Sequence, residues 1–492
     1  MNILLVSPQT PLTFWSLKHA VRFMARQAAF PPLGLLTVAA MLPRSWNIRL
    51  VDMDIRPLRD SDLQWADYVL IGAMIVHKQS IDEEIIPRCK GLGRTIIGGG
   101  PLFTTGYEDY AGDVHAVCGE SEEIIDQVIR DMESGDLKDK YESTHGFPDV
   151  TKTPVPRWDL IDVNNYATMP LQFSRGCPFD CEFCDIIIMN GRKPRTKSPE
   201  QMIAELDALY AAGWIGTVFF VDDNFIGNKK LVKQFLRALI EWREREKPEL
   251  DFITEASVNL ADDKELLELM VSAGFRRVFI GIESPVPESL REAQKYQNTH
   301  GDLIEMIKTV QRSGMEVMGG FIVGFDNDPR EIFELQYDFI QKTGIAAAMV
   351  GLLTALPKTQ LYHRLSGEGR LDTKSTGNNT EAVLNFIPKL DREFLISGYK
   401  RLMWTLYEPT TYYRRALTFL NEYGPRGPKL KLTIEDIYAL FRSLWMMGVM
   451  HRGRRAFWKY LATILVRHPH KFPKGIALAI YGFHYRMVAK RL

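Results

Sequence analysis

Apolar and polar positions follow three successive patterns along this chain. Over the first ~145 residues, the short apolar runs "NILLVSP", "NIRLVDMD", "YVLIGAM", "RTIIGGGP" and "HAVCGE" are separated by longer amphipathic stretches such as "PLGLLTVAAMLP". Short buried strands spaced by helices predict a parallel sheet in a doubly wound, Rossmann-like α/β domain over 1–145. Such sheets bind ligands at the carboxyl ends of their strands. Those ends carry Ser7-Pro8, Asp52-Met53-Asp54, Gly72-Ala73-Met74, Gly98-Gly99-Gly100-Pro101 and Gly119-Glu120. Periodicity then lapses over 146–168, where the proline-rich "TKTPVPRWDLIDVNNY" predicts a linker.

A second alternating series fills 169–365. Strands are predicted at "LQFSRG", "TVFFVDDN", "FITEASV", "RRVFIGIES", "EVMGGFIVGF" and "AAMVGLLTAL", with helices at 198–212, 229–245, 262–273, 301–313 and 329–343. The first helix opens with Ser198, Pro199 and Gln201, the pattern of a capping box. Six β/α units in roughly 190 residues fall short of the ~250 that a closed eight-unit barrel takes, so a partial (β/α)6 barrel is expected. From 366 to 492 the pattern turns helical, at 390–420 and 434–490, with many aromatic residues.

Composition changes this picture in two places. The 492 residues are 46% hydrophobic and 25% charged, ordinary for a multidomain globular protein. Lys+Arg and Asp+Glu are each 61, so nothing global points to nucleic acid. Yet from 451 to 492 the basic residues 452, 454, 455, 459, 467, 471, 474, 486, 490 and 491 stand without one Asp or Glu. A basic, aromatic-rich segment of this kind suits an anionic membrane surface, so peripheral contact through 451–492 is expected. The opening "MNILLVSPQ" lacks the basic and apolar regions of a signal peptide, and no window is apolar enough for a span. A cytoplasmic chain, possible peripheral attachment to the inner membrane face included, is expected. In a reducing compartment, clustered cysteines are metal ligands more often than disulfides.

Three of the five cysteines lie in "SRGCPFDCEFCDI", as Cys177, Cys181 and Cys184. Thiolates on one loop at Cys-x3-Cys-x2-Cys spacing can hold three corners of a cubane iron–sulfur cluster. A structural zinc site wants a fourth ligand. None is evident, because Cys89 and Cys118 fall in the first domain and His77, His115 and His363 are distant in sequence. An iron left open can bind a small molecule. The loop leaves the first predicted barrel strand at its carboxyl end, where barrel active sites lie. No other cysteine cluster exists, so auxiliary clusters are not expected.

With these residues in view, 171–363 resembles the radical S-adenosylmethionine (SAM) superfamily, whose signature is CxxxCxΦC with an aromatic Φ, here Phe183. The resemblance implies a [4Fe–4S] cluster on the three cysteines and SAM chelated at the open iron. It also implies reductive cleavage of SAM to a 5′-deoxyadenosyl radical that takes hydrogen from substrate. By strand order it implies SAM contacts at Asp222, Asp223 and Asn224, at Glu255 and Ser257, at Glu283, and at Gly320, Ile322 and Gly324. Asp222-Asp223-Asn224 departs from the Gly-Gly-Glu turn that the family often has there.

The first domain lacks the GxGxxG dinucleotide fingerprint. An α/β domain directly ahead of such a barrel resembles the cobalamin-binding class. That resemblance implies cobalamin contacts at Ser7, Pro8, Asp52, Met74, His77, Gly98, Gly99, Gly100, Pro101, Gly119 and Glu120. The Asp-x-His-x-x-Gly motif is absent, so no lower axial cobalt ligand is assigned. "FPPLGLLTVAAMLP", "IRLVDMDIRPL", "CEFCDI", "FFVDDNFIGN", "GIESP" and "LLTALPKTQLYHRL" are similar to the hopanoid C-2 methylases, methylases of bacterial triterpenoid lipids. The implied activity is methylation of an unactivated carbon in an apolar, lipid-like substrate, by a monomer served by ferredoxin or flavodoxin. The alternative is ring formation or oxidation of a tetrapyrrole or other large substrate without methyl transfer.

Overall fold

The computed structural model describes residues 1–373, 375–378, 380–428 and 433–492. Strands β1 (Asn2–Ser7), β2 (Asn47–Asp52), β3 (Tyr68–Gly72), β4 (Thr95–Gly99), β5 (His115–Cys118) and β6 (Lys140–Glu142) form one sheet in the order β2-β1-β3-β4-β5-β6. Every neighbouring pair is parallel. Alternate residues feed two cores: Leu4, Val6, Val69 and Ile71 on one face, Ile3, Leu5, Leu70 and Ile97 on the other. This is the doubly wound arrangement, with its switch point between β1 and β3. Strand β6 escapes the hydrophobic pattern because it buries only Tyr141.

The second sheet holds β7 (Met169–Leu171), β10 (Gly216–Phe220), β11 (Leu250–Ala256), β12 (Phe275–Glu283), β13 (Glu316–Val323) and β14 (Ala348–Leu352). Its order, β14-β13-β12-β11-β10-β7, is that of six parallel strands left open between the first and the last. Between β7 and β10, β8 (Ser174–Arg175) pairs antiparallel with β9 (Arg195–Thr196). The stretch "LQFSRG" is therefore divided, not one strand, because Asp222 takes the backbone amides of Phe173 and Ser174 and turns the chain off the sheet. The helix Pro199–Ala211 has half of its capping box. Ser198 Oγ accepts from Gln201 N at 3.2 Å, but the Gln201 side chain donates to the Thr153 carbonyl at 2.8 Å and ties down the preceding segment.

Register places Thr217, Phe219, Ile253, Glu255, Arg277, Phe279, Gly281, Met318, Gly320 and Ile322 on one face of the second sheet. At the amino-terminal end of this interior, Arg277 donates to Thr217 Oγ1 at 2.7 Å and to Tyr481. Above it, Trp15 stacks on Phe219 with ring centroids 5.7 Å apart and tilts against Phe279 at 5.3 Å. The non-periodic segment between β1 and the helix Leu33–Met41 thus plugs the barrel. It is held by His484, whose Nε2 lies 3.2 and 3.1 Å from the carbonyls of Thr13 and Phe14. Burial lowers its pKa to about 4, and with Nδ1 accepting from His19 N at 3.4 Å the ring's proton sits on Nε2, facing those carbonyls.

The two sheets meet by the carboxyl ends of their strands. Glu120, just past β5, accepts from Arg175 and Arg195 at the base of the β8–β9 hairpin. Glu122 joins Arg175 at 2.8 Å, and Lys358, past β14, donates to the Thr104 carbonyl at 3.1 Å. The remaining helices, Arg392–Leu406, Pro409–Glu422, Ile434–Trp445, Arg454–Arg467 and Phe472–Ala489, complete the C-terminal part. Phe472–Ala489 is largely buried, so half of the basic 451–492 segment belongs to the core and offers no broad surface. Among the described residues no helix is long and apolar enough to cross a membrane.

Replacing Trp15 with Ala should empty the barrel's waist and lower stability by ~3 kcal/mol. Denaturant unfolding followed by fluorescence checks this; an unchanged midpoint contradicts the plug.

Candidate functional site

The cysteine loop is closed at its base by two adjacent carboxylates. Asp222 accepts from Phe173 N at 3.2 Å, from Ser174 N, and from Ser174 Oγ at 2.5 Å. Asp223 Oδ2 accepts from Gly176 N at 2.8 Å and from Asn190 Nδ2 at 2.9 Å, clasping both ends of the loop. Gly176 is left-handed (φ +95°), and a Cβ there would stand 2.9 Å from the carbonyls of Asn190 and Gly191. Burial pushes Asp222 up to about 7 and also raises Asp223. Asp222 is 1% exposed and wholly engaged, so it fits a loop brace and not a ligand contact.

Inside this brace, burial raises the pKa of all three thiols. What surrounds them works the other way. Asn224 Nδ2 lies 3.8 Å from Cys177 Sγ, and Gln297 Nε2 lies 3.7 Å from Cys181 Sγ. The Lys295 ammonium acts on each of the three thiols and pairs with Glu283 at 2.7 Å. The charges of Glu283 and Cys181 raise the pKa of Lys295 against its burial. Glu283 ends β12 in the left-handed region (φ +63°), held there by Gln336 Nε2 donating to its carbonyl at 3.0 Å. A non-glycine residue kept in that conformation marks strain that the surroundings enforce.

Among the described residues no three His, Cys, Asp or Glu side chains are already gathered around a single ion position. Three thiols met by two amide donors and an ammonium fit a cluster whose sulfurs carry negative charge. Asn224 Oδ1 is buried without a partner, an acceptor left over beside Cys177.

The other SAM candidates gather on the same mouth. Glu255 ends β11, and burial reinforced by Asp223 and Asp222 pushes it up to about 8. Ser257 Oγ accepts from Asn224 at 3.3 Å and donates to Asn259 at 2.7 Å. Gly320 lacks the Cβ that would stand 2.8 Å from the Phe279 ring, and Ile322 follows on the same face. Gly324 N donates to Asp328 at 2.8 Å, closing the strand end. Phe183 lies with its ring 6.2 Å from that of Phe325. Lys295 and Gln297 were not among the sequence candidates. They sit in "EAQKYQN", which has no strand-end or motif signature; their one signal is a basic residue twelve positions after Glu283.

The first sheet divides its candidates differently. Asp52, pushed up to about 6 by burial, accepts from Tyr166 OH at 2.9 Å and from Asp54 N at 3.0 Å. It is a brace for the chain ahead of β7. His77 Nδ1 accepts from Met74 N at 3.2 Å, and its Nε2 lies 3.4 Å from Thr10 Oγ1. Burial lowers it to about 4, and both ring nitrogens face protein. Glu120 is taken by Arg175 and Arg195. Ser7 and Pro8 are buried. Of the glycines, Gly98 packs against Phe103 and Val114, and a Cβ on Gly100 would meet the Ala73 carbonyl at 2.7 Å. Pro101 starts a helix. Only Gly99 and Gly119 leave bare backbone, with nothing nearer than the Val117 carbonyl at 3.8 Å and nothing within 4 Å, respectively. Met74, two residues past the Gly72 that pairs with Gly99, is 58% exposed.

Comparison with known proteins agrees with this geometry. The model of the radical SAM superfamily matches residues 171–340, and a domain of unknown function (DUF4070) matches 359–492. An uncharacterised methyltransferase of Synechocystis sp. is 40% identical over 493 residues, covering 99% of this chain and 91% of the relative. The hopanoid C-2 methylase of Rhodopseudomonas palustris is 35% identical over 478 residues, 95% of this chain and 90% of that one. An anaerobic magnesium-protoporphyrin IX monomethyl ester cyclase of Cereibacter sphaeroides is only 25% identical, over 57% of this chain and 49% of its own. Among solved structures, the cobalamin-dependent radical SAM enzyme OxsB shares the fold at a TM-score of 0.62 and 15% identity, over 100% of this chain and 79% of that one. With two relatives above 30% identity, matched over 91% and 90% of their own lengths, and the cysteine loop in place, the chain belongs to the radical SAM superfamily, among its methyltransferases.

Proposed function

We propose that this chain is a cobalamin-dependent radical SAM methyltransferase that places a methyl group on an unactivated carbon of an apolar substrate. One observation carries the reading. Three thiols, Cys181 buried and Cys177 and Cys184 half-buried, stand with an ammonium and two amide donors at the carboxyl ends of one sheet, and the carboxyl ends of a second sheet are tied against them. When bound, the [4Fe–4S] cluster supplies the electron that cleaves SAM, and cobalamin supplies the methyl group.

The chain's own residues set the stage. Cys177, Cys181 and Cys184 hold the cluster, and Asn224 and Gln297 donate to its sulfur ligands. The unpartnered Asn224 Oδ1 can accept from the SAM amine, and Lys295 can meet its carboxylate. Glu255 and Glu283 flank them, while Gly320 and Ile322 offer a flat strand for the adenosine. On the opposite wall, Met74 and the bare backbone at Gly99 and Gly119 fit the broad face of a corrin. His77 is engaged on both ring nitrogens, by Met74 N and by Thr10 Oγ1, and would brace this wall. In the barrel interior Trp15, Phe30, Phe219 and Phe279 are in contact, an apolar lining that suits a lipid-like substrate.

The balance is simple. One SAM gives up its methyl and leaves as S-adenosylhomocysteine. A second leaves as methionine and as 5′-deoxyadenosine carrying the substrate hydrogen. The two electrons come from a reductant such as ferredoxin or flavodoxin. The reading takes the enzyme as a monomer.

With SAM deuterated at its methyl group and a lipid extract of a strain lacking this gene, mass spectrometry should find one product carrying the intact labelled methyl. Product without label overturns methyl transfer and leaves ring formation or oxidation. Lys295→Ala should keep the cluster's visible absorbance while raising the KM for SAM about tenfold or more, the loss of a charge-assisted bond. Lys295→Arg should recover part of it. Equal KM values in all three proteins contradict the assignment.

A further inference from the structure

The C-terminal part carries a surface that the chemistry leaves unused. In the helix Ile434–Trp445, residues at i, i+3, i+4, i+7 and i+11 (Ile434, Ile437, Tyr438, Phe441 and Trp445) point away from the protein. Ile434 is 86% exposed, Phe441 67% and Trp445 61%, and Met450, just beyond, is 68% exposed. The opposite face, with Ala439 and Ser443, is buried, so the helix is apolar on both sides. A surface helix ordinarily turns polar residues outward. A contiguous apolar patch on the outer face marks an interaction site.

The patch runs on into the next helix. Gly448 lacks the Cβ that would stand 3.0 Å from the Trp458 ring, and Trp458 Nε1 donates to the Gly448 carbonyl at 3.0 Å. Beside this apolar strip lies a cleft of about 460 Å³ lined by Arg452, Arg454 and Arg455, with His451. The carboxylate in that cleft, Glu408, is engaged in capping, accepting from Thr411 N at 3.0 Å. The acids on the helix itself are also committed: Glu435 to Arg26 at 2.5 Å and Asp436 to Thr433. Of the three guanidinium groups, Arg454 donates to the Val449 carbonyl at 3.4 Å; apolar and aromatic side chains next to such cations match the layering of an anionic bilayer, acyl chains beneath phosphates. A second copy is a poorer occupant, because its patch would bring three more arginines while Glu408, Glu435 and Asp436 are already engaged.

We propose that Ile434–Trp445, Met450, Trp458 and the cleft arginines form an interfacial seat for an anionic lipid surface. The apolar side chains enter between the headgroups, and Arg452, Arg454 and Arg455 take lipid phosphates. This narrows the basic 451–492 segment to its first few residues and adds the preceding helix. The inference goes beyond the methyl-transfer reading and is tested without turnover.

The full-length reconstituted protein is sedimented with vesicles of phosphatidylcholine alone, or with about a third phosphatidylglycerol. It should pellet with the anionic vesicles and remain in solution with neutral ones and with inorganic phosphate. Phe441→Glu with Trp445→Glu should abolish pelleting. Arg452→Gln, Arg454→Gln and Arg455→Gln together should weaken it about a hundredfold. Cluster absorbance in each variant shows that the core is intact. Wild-type protein left in solution with anionic vesicles overturns the seat, as do variants that pellet like wild type. A wild-type dimer made monomeric by Phe441→Glu and Trp445→Glu assigns the face to a second copy and equally overturns it.

Discussion

A carboxylate without access to water decides where this protein's chemistry lies. Asp222 takes the amides of Phe173 and Ser174 and the Ser174 hydroxyl. Placed in an interior, such a group is costly unless its oxygens are saturated, and three donors from one turn of chain saturate them. The consequence is architectural. Strand β7 stops at Leu171, the chain lifts off the sheet into the β8–β9 hairpin, and the cysteines are carried over the barrel mouth. Asp223 then draws the two ends of that loop together. The residues that resemble a ligand-binding turn by strand order thus act one step earlier, holding the ligand-bearing loop.

The same mouth shows how charge is arranged before any ligand arrives. Thiols in a low-dielectric pocket resist ionisation, yet soft-metal binding needs thiolates. Lys295 and the amides of Asn224 and Gln297 supply the compensating field. Glu283, strained at the end of β12, keeps the ammonium in place. Across the gap, Glu120 and Glu122 clamp the first sheet onto Arg175, so that the wall bearing Met74, Gly99 and Gly119 is fixed relative to the cysteine loop. Ion pairs between strand ends thus hold the two sheets mouth to mouth.

Much of this was legible in the sequence, and what was not has a common cause. Parallel strands buried on both faces write themselves as apolar runs, so ten of the twelve strands in the two large sheets stand out clearly. Strand β6 does not, burying only Tyr141, and β7 is cut short by a side chain fifty residues later. The cysteines were legible because their spacing is local. Lys295 and Gln297 were not, since only the fold brings them to the thiols. Trp15 lies in a stretch without period, and its role as a barrel plug depends on Phe219 and Phe279, far away in sequence. Conversely, strand-end polarity does not separate ligand contacts from structural ones. Asp52, Asp222 and Glu120 are polar strand ends whose partners are protein groups. A strand end shows that a polar residue is needed, not whether a ligand or a loop needs it.

The central claim is that three cysteines hold a cluster whose fourth corner the chain leaves free for SAM, with Asn224 and Lys295 beside it. Electron–nuclear double resonance on the reduced, reconstituted protein tests this most directly, using SAM labelled at its amino nitrogen and carboxylate. The account predicts magnetic coupling from both labels to the cluster. A cluster that forms but shows no coupling from either label would contradict it.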